Sequence, residues 1–166
     1  KQKEAEFMPV LENCEPKRVF HYFEEICKIL MVPENKQISD FLVEFAKDHG
    51  FRYVQDELNN VVIYKPGTPG YENSPTVIIQ GHMDMVCEKR PDVDHDFTKD
   101  GLNISVKMVI SQPTEQLLAY DGIAVAYGLA LLDSTDIPHP PLEVLLTVDE
   151  EIGLLGAVGL DCSVLK

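Results

Sequence analysis

Apolar residues first recur at helical spacing. Val19, Phe20, Phe23, Ile26, Cys27 and Leu30 follow Pro16, which suits the first turn of a helix. The pattern predicts an amphipathic helix of about 14 residues, interrupted by Pro33 and Asn35. A second helical pattern puts Ile38, Phe41, Leu42 and Phe45 on one face and stops at Gly50. His21 and His49 fall on or near the polar faces and read as solvent-exposed. The period then changes. Residues 51–65, FRYVQDELNNVVIYK, read as strand, Asn-Asn turn and strand. The Gly- and Pro-rich stretch 66–75 reads as a loop.

Continuous apolar runs dominate the second half. Residues 76–86, TVIIQGHMDMV, read as a buried central strand that breaks into Gly81-His82-Met83-Asp84. Residues 87–99 are charged and loop-like and include His95; residues 102–110 suit a short strand or hairpin. Asp121-Gly122 introduces IAVAYGLALLD, a helix apolar nearly all round. Its Ala124, Ala126, Gly128 and Ala130 would let it lie close to a sheet. A Pro-rich connector with His139 leads to a second apolar strand, LEVLLTV, which ends in Asp149-Glu150-Glu151. Residues 153–160 then turn away as a helix. Strand, helix and strand in this order predict an α/β fold, with a mostly parallel or mixed sheet covered by helices on both faces. In such sheets, sites gather at the carboxyl ends of the strands, where both motifs sit.

Composition narrows the classes. Apolar content of 45% with 25% charged residues is that of a globular protein. The 14 basic and 28 acidic residues give a net charge of −14, which argues against nucleic acid or an anionic membrane as partner. No apolar run approaches a membrane span, and no signal segment opens the sequence. Cys14, Cys27, Cys87 and Cys162 lack paired spacing and read as free thiols in a reducing, cytoplasmic compartment. Residues 1–7, KQKEAEF, read as a leader outside the fold, with 8–166 as the folded portion.

Side chains two apart on an extended chain point the same way, so His82 and Asp84 can share a site. The carboxylate can orient the ring and leave its other nitrogen for a metal. Glu150 and Glu151 gather at the neighbouring strand end, and Asp121 stands at the mouth of the buried helix. One imidazole with several carboxylates suits Zn²⁺, Mn²⁺ or Co²⁺. Of two adjacent glutamates, one can ligate while the other takes a proton from metal-bound water. The competing account is scattered surface carboxylates with a capping histidine. His95 and His139 read as solvated and structural or exposed, respectively, and Cys87 as a bystander.

QGHMDMVCEK (80–89), HDFTKD (95–100), DGIAVAYGLALLD (121–133), PLEVLLTVDEEIGLLGA (141–157) and KPGTPGYEN (65–73) closely resemble the aminoacyl-histidine dipeptidases, also called Xaa-His dipeptidases or peptidase D. The resemblance runs from about Val19 to Asp161. It implies a two-zinc metallopeptidase with a zinc-exopeptidase-like fold that cleaves dipeptides and similar short peptides. It implies His82 as a zinc ligand, Asp84 as the carboxylate that orients it, Glu150 as general base and Glu151 as a zinc ligand. The family's Gly-Thr-Thr-Leu-Gly-Ala-Asp-Asn-Gly segment carries the metal-bridging Asp, but here the corresponding stretch ends Ala119-Tyr120-Asp121-Gly122. Without a gap Tyr120 takes the bridging position; with one residue deleted Asp121 does, and Asp121 is the preferred assignment. Residues 30–34 also lack the family's Pro-Arg-x-Ser type segment. The family is several hundred residues long, and its remaining ligands would lie beyond residue 166. The resemblance therefore corresponds to the first part of a catalytic domain. A truncated or degenerate, non-catalytic relative that keeps the fold and at most a partial metal site is the alternative. Such a unit is expected to leave a sheet edge or core face uncovered and to self-associate as a homo-oligomer.

Overall fold

A computed structural model describes residues 10–29, 36–102, 104 and 121–166. The expected strand or hairpin at 102–110 lies almost wholly outside the described residues, as do the loop at 30–34 and Tyr120.

Helix α1 spans Lys17–Cys27 and buries Val19, Tyr22, Ile26 and Cys27 along one stripe. Pro16 precedes it in an extended conformation. The helix ends three residues short of Leu30, where its apolar pattern stops. Helix α2 spans Gln37–Asp48 and buries Ile38, Leu42, Val43, Phe45 and Ala46. Gly50, at φ +68°, then turns the chain in the left-handed region that glycine adopts without steric cost.

The hairpin comes next, as expected. Strand β1 (Arg52–Gln55) pairs antiparallel with β2 (Val61–Lys65). Asp56 organises the turn: one carboxylate oxygen accepts from the Leu58 and Asn60 amides at 2.9 and 2.8 Å. Asn59 takes φ +74°, a conformation that Asn tolerates better than most residues.

Strand β3 (Val77–His82) and strand β4 (Leu142–Thr147) are joined through helix α3 (Gly122–Asp133) and pair in parallel. The sheet order is β1-β2-β4-β3, with β2 and β4 antiparallel. The sheet is therefore mixed, and one of the three pairings among the described residues is parallel. Every residue of β4 is buried. Strand β3, expected to be central and buried, pairs with β4 alone among the described residues. Its Val77 and Ile78 are exposed, at 44% and 43%. An apolar run thus marks a strand without saying how many neighbours it has.

Helices α1, α2 and α3 share one face of the sheet with Val61, Ile63, Val144 and Leu146. The other face is covered by a short helical turn and the residues beside it. There Val62, Tyr64 and Leu145 pack under Leu160, Val164 and Leu165, which surround the short turn at Cys162–Val164. The Tyr64 hydroxyl donates to the Val164 carbonyl at 2.8 Å. Helix α3 approaches the sheet closely, as its small residues predict. A Cβ on Gly128 would lie 2.7 Å from Val144 Cγ1, and one on Gly81 would lie 3.0 Å from Ala124 Cβ. The helix is not buried all round, because Tyr127 is 46% exposed. Lys65 of β2 secures its far end by donating to the carbonyls of Leu131 and Ser134 at 2.9 and 2.5 Å. All four thiols are free, and burial, with a lesser effect of the nearby Glu24, pushes Cys27 up to about 12.

Gly128→Val should force helix and sheet apart, because the added carbons have no space next to Val144. Urea denaturation is expected to show a loss of about 1–3 kcal/mol, the usual cost of overpacking a filled core. An unchanged midpoint would mean that the helix lies further from β4 than this.

Candidate metal centre

The parallel register places His82 opposite Thr147, the last residues of β3 and β4. The pairing continues one step, with the Met83 amide donating to the Thr147 carbonyl at 2.8 Å. The segment after β4 must therefore lie beside His82. That segment is a turn, and it carries Glu150 and Glu151.

Asp84 joins the two strand ends. It is 4% exposed. One carboxylate oxygen accepts from the Glu150 amide and the other from the Glu151 amide, each at 3.0 Å. His82 Nδ1 lies 2.9 Å from the Asp84 main-chain carbonyl and 3.4 Å from its carboxylate. Both neighbours are acceptors, so Nδ1 carries the proton, and in the neutral ring Nε2 keeps its lone pair. His82 and Asp84 lie side by side at the strand end. The ring is held chiefly by the main-chain carbonyl, while most of the carboxylate's hydrogen bonding goes to the loop after β4.

Burial alone would raise the Asp84 pKa. The hydrogen bond from His82 and the two amides outweigh it and hold the carboxyl below its usual range. His82 is shifted upward, chiefly by its bond to Asp84, against a smaller opposing effect of burial; Asp121 and Glu150 push it the same way.

His82 Nε2 faces two further carboxylates, Asp121 Oδ2 and Glu150 Oε2, each at 3.8 Å. Asp121 sits at the N-cap of α3, but its side chain makes no capping bond to that helix. It reaches across to β3 and accepts from the His82 amide at 2.8 Å. Among the described residues, His82, Glu150 and Glu151 each offer one ligand atom, and these atoms lie within 4.8 Å of one another. A neutral imidazole nitrogen with two carboxylates is a donor set that fits a divalent ion such as Zn²⁺, Mn²⁺ or Co²⁺. The two adjacent glutamates do not point apart. The chain reverses at Asp149, φ +54°, and both carboxylates approach His82. Asp121 is adjacent to the cluster on the His82 side without belonging to it.

No protein-family model matches the chain. It is 40% identical over 156 residues to the cytosol non-specific dipeptidase of Escherichia coli K12, covering 92% of this chain and 32% of that protein. The crystal structure of aminoacylhistidine dipeptidase from Vibrio alginolyticus matches with a TM-score of 0.84 and 40% identity, over 97% of this chain and 33% of the other. In sequence and fold, nearly the whole of this chain is similar to part of these two dipeptidases. It spans about a third of the length of those relatives. Aminopeptidase PepT from Bacillus cereus shares the fold more distantly, with a TM-score of 0.65 and 25% identity over 90% of this chain and 40% of the other. The match to the aminoacyl-histidine dipeptidases includes both strand ends that carry the centre.

The other chemistry-bearing residues lie apart. His139 is 6% exposed, with Nδ1 2.7 Å from the Pro140 carbonyl, and belongs to the connector before β4. His95 is half-buried against Phe97 rather than solvated. His49, on the surface, stacks on Phe51. Cys87 is an exposed residue, but partial burial of its thiol, with a lesser effect of Asp84, raises its pKa. Motif reading misses the two amides on Asp84, since main-chain donors leave no signature in side-chain types.

Because the folded Asp84 pKa lies below the unfolded value near 3.9, its contribution is present above about pH 4 and is lost as pH falls through the folded value. Asp84→Asn should cost about 1.5–3 kcal/mol at pH 7 in metal-free buffer, since one buried amide loses a charged acceptor. Chemical denaturation across pH should show the gap to wild type narrowing below pH 4; a gap that is constant with pH would contradict this.

Proposed function

We propose that this chain is the metal-binding portion of a peptidase that hydrolyses dipeptides, of the Xaa-His type, with metal-activated water. The observation that carries the reading is the convergence of His82 Nε2 with the Glu150 and Glu151 carboxylates within 4.8 Å, in a chain 40% identical to two dipeptidases. His82 and Glu151 would hold the metal. Asp121, 3.8 Å from His82 Nε2, would be the bridging carboxylate to a second ion. Zn²⁺ is the preferred metal, with Mn²⁺ and Co²⁺ as alternatives. When bound, the metal would lower the pKa of a water and polarise the scissile carbonyl.

The chain's own residues would divide the remaining work. Asp84 keeps the proton on His82 Nδ1, so that Nε2 stays a donor of electrons. The same carboxylate fixes the Glu150 and Glu151 main chain. The Glu150 carboxylate, half-buried at the rim, is the general base that takes the proton from water and returns it to the leaving amine. The substrate is a dipeptide or short peptide. The acidic balance of the chain, −14, speaks against nucleic acid as a partner. Among the described residues no helix is long and apolar enough to cross a membrane. Free thiols and a relative named for the cytosol support a cytoplasmic location. Strand β3 pairs with β4 alone among the described residues and exposes Val77 and Ile78, which supports self-association.

A second reading, a non-catalytic relative with one partial metal site, draws on the altered segment that puts Tyr120 beside Asp121. The two readings part on metal content and turnover. After dialysis against Zn²⁺, elemental analysis is expected to find at least one ion per chain, lost in His82→Ala. Retention that is equal in the mutant, or absent in wild type, would overturn the site. In a protein with the full length of the relatives, Glu150→Gln should keep its metal and lower kcat on Xaa-His dipeptides by about 10²–10⁴-fold. Metal without turnover at that length would favour the second reading.

A further inference from the structure

The segment 148–156 presents Glu150 and Glu151, yet its backbone is strained. Asp149, Gly153 and Leu154 have φ of +54°, +122° and +60°. For a leucine this is an unfavourable conformation, and such residues persist where their surroundings over-determine them. Asp84 restrains the middle of the segment. Its two ends are restrained from another direction.

Asn60, 1% exposed, lies at the end of the β1–β2 turn. Its Oδ1 accepts from the Val148 amide at 3.1 Å. Its Nδ2 donates to the Gly156 carbonyl at 2.9 Å and to Asp56 Oδ2 at 2.7 Å. Both amide protons and the carbonyl are thereby used. A flipped amide would set donor against donor and acceptor against two acceptors, so the orientation is determined. The two ends also meet each other, with the Gly156 amide donating to the Val148 carbonyl at 3.2 Å. Gly156 is required there: a Cβ would sit 2.3 Å from the Val148 oxygen and 2.6 Å from Asn60 Oδ1.

We infer that Asn60 is a positioning residue for the candidate metal centre: it clamps both ends of the 148–156 segment and so sets Glu150 and Glu151 against Asp84 and His82. Its hydrogen bonds go to Val148, Gly156 and Asp56, so it acts on the glutamates through the backbone between its two anchors. The inference rests on the metal-site reading above for its functional meaning, and on the hydrogen bonds alone for its mechanical one.

The test combines residue-resolved amide exchange with Co²⁺ titration followed by visible absorption, in wild type, Asn60→Ala and Asn60→Asp. The aspartate keeps the size and an acceptor for Val148 but cannot donate to Gly156; it serves alone if the alanine variant does not fold. Loss of a buried hydrogen bond predicts about tenfold faster exchange at the Glu150 and Glu151 amides and about tenfold weaker Co²⁺ binding. Amides of β4 should change far less. Unchanged exchange at Glu150 and Glu151 overturns the inference. So does equal acceleration throughout β4, or failure of both variants to fold, because either means a general core role. Faster exchange with unchanged Co²⁺ affinity overturns it as well. Absence of Co²⁺ binding in wild type would instead refute the metal-site reading and leave the clamp to be judged by exchange alone.

Discussion

The site depends on the Asp84 carboxylate. A buried carboxylate needs hydrogen bonds or a cation to offset its lost hydration. Asp84 has an amide on each oxygen and an imidazole proton nearby. Those partners come from both strand ends, so one ionised group ties the end of β3 to the turn after β4. Without it, the register of the two strands would still bring the ends together, but the Glu150 and Glu151 main chain would lose the two bonds that hold it towards His82.

The sheet makes that arrangement available. The parallel pairing of β3 and β4 brings their carboxyl ends to the same side, which an antiparallel pair would not. The connection through α3 needs a close helix–sheet contact, and Gly128 and Gly81 supply it. The N-terminus of α3 then falls beside His82, and Asp121 bonds to the His82 amide rather than capping its own helix. The closeness that packs the helix also delivers the fourth carboxylate.

Much of this is legible in the sequence. The helices at 17–27 and 37–48 come from apolar residues at helical spacing, and the hairpin from its turn residues. The pairing of His82 with Asp84 comes from the two-residue period of a strand. The strand at 77–82 is legible as a strand but not as the border of the described sheet, since an apolar run records burial potential and not neighbours. The orientation of the two glutamates is not legible either. It depends on a left-handed residue at Asp149 and on a hydrogen bond that the Glu150 amide donates to a carboxylate 66 positions away.

By itself, then, the sequence determined the element types, the strand–helix–strand order and the residue kinds available for a metal, because these rest on local periodicity and side-chain chemistry. Tertiary structure decided which face each helix covers and that β3 borders the described sheet. It also decided that Asp84 serves the loop as much as the histidine, and that Asn60 reaches the segment holding Glu150 and Glu151. Those outcomes depend on hydrogen bonds to main-chain groups far apart in the chain. Nearly every residue carries the same main-chain groups, so only the fold can choose among them.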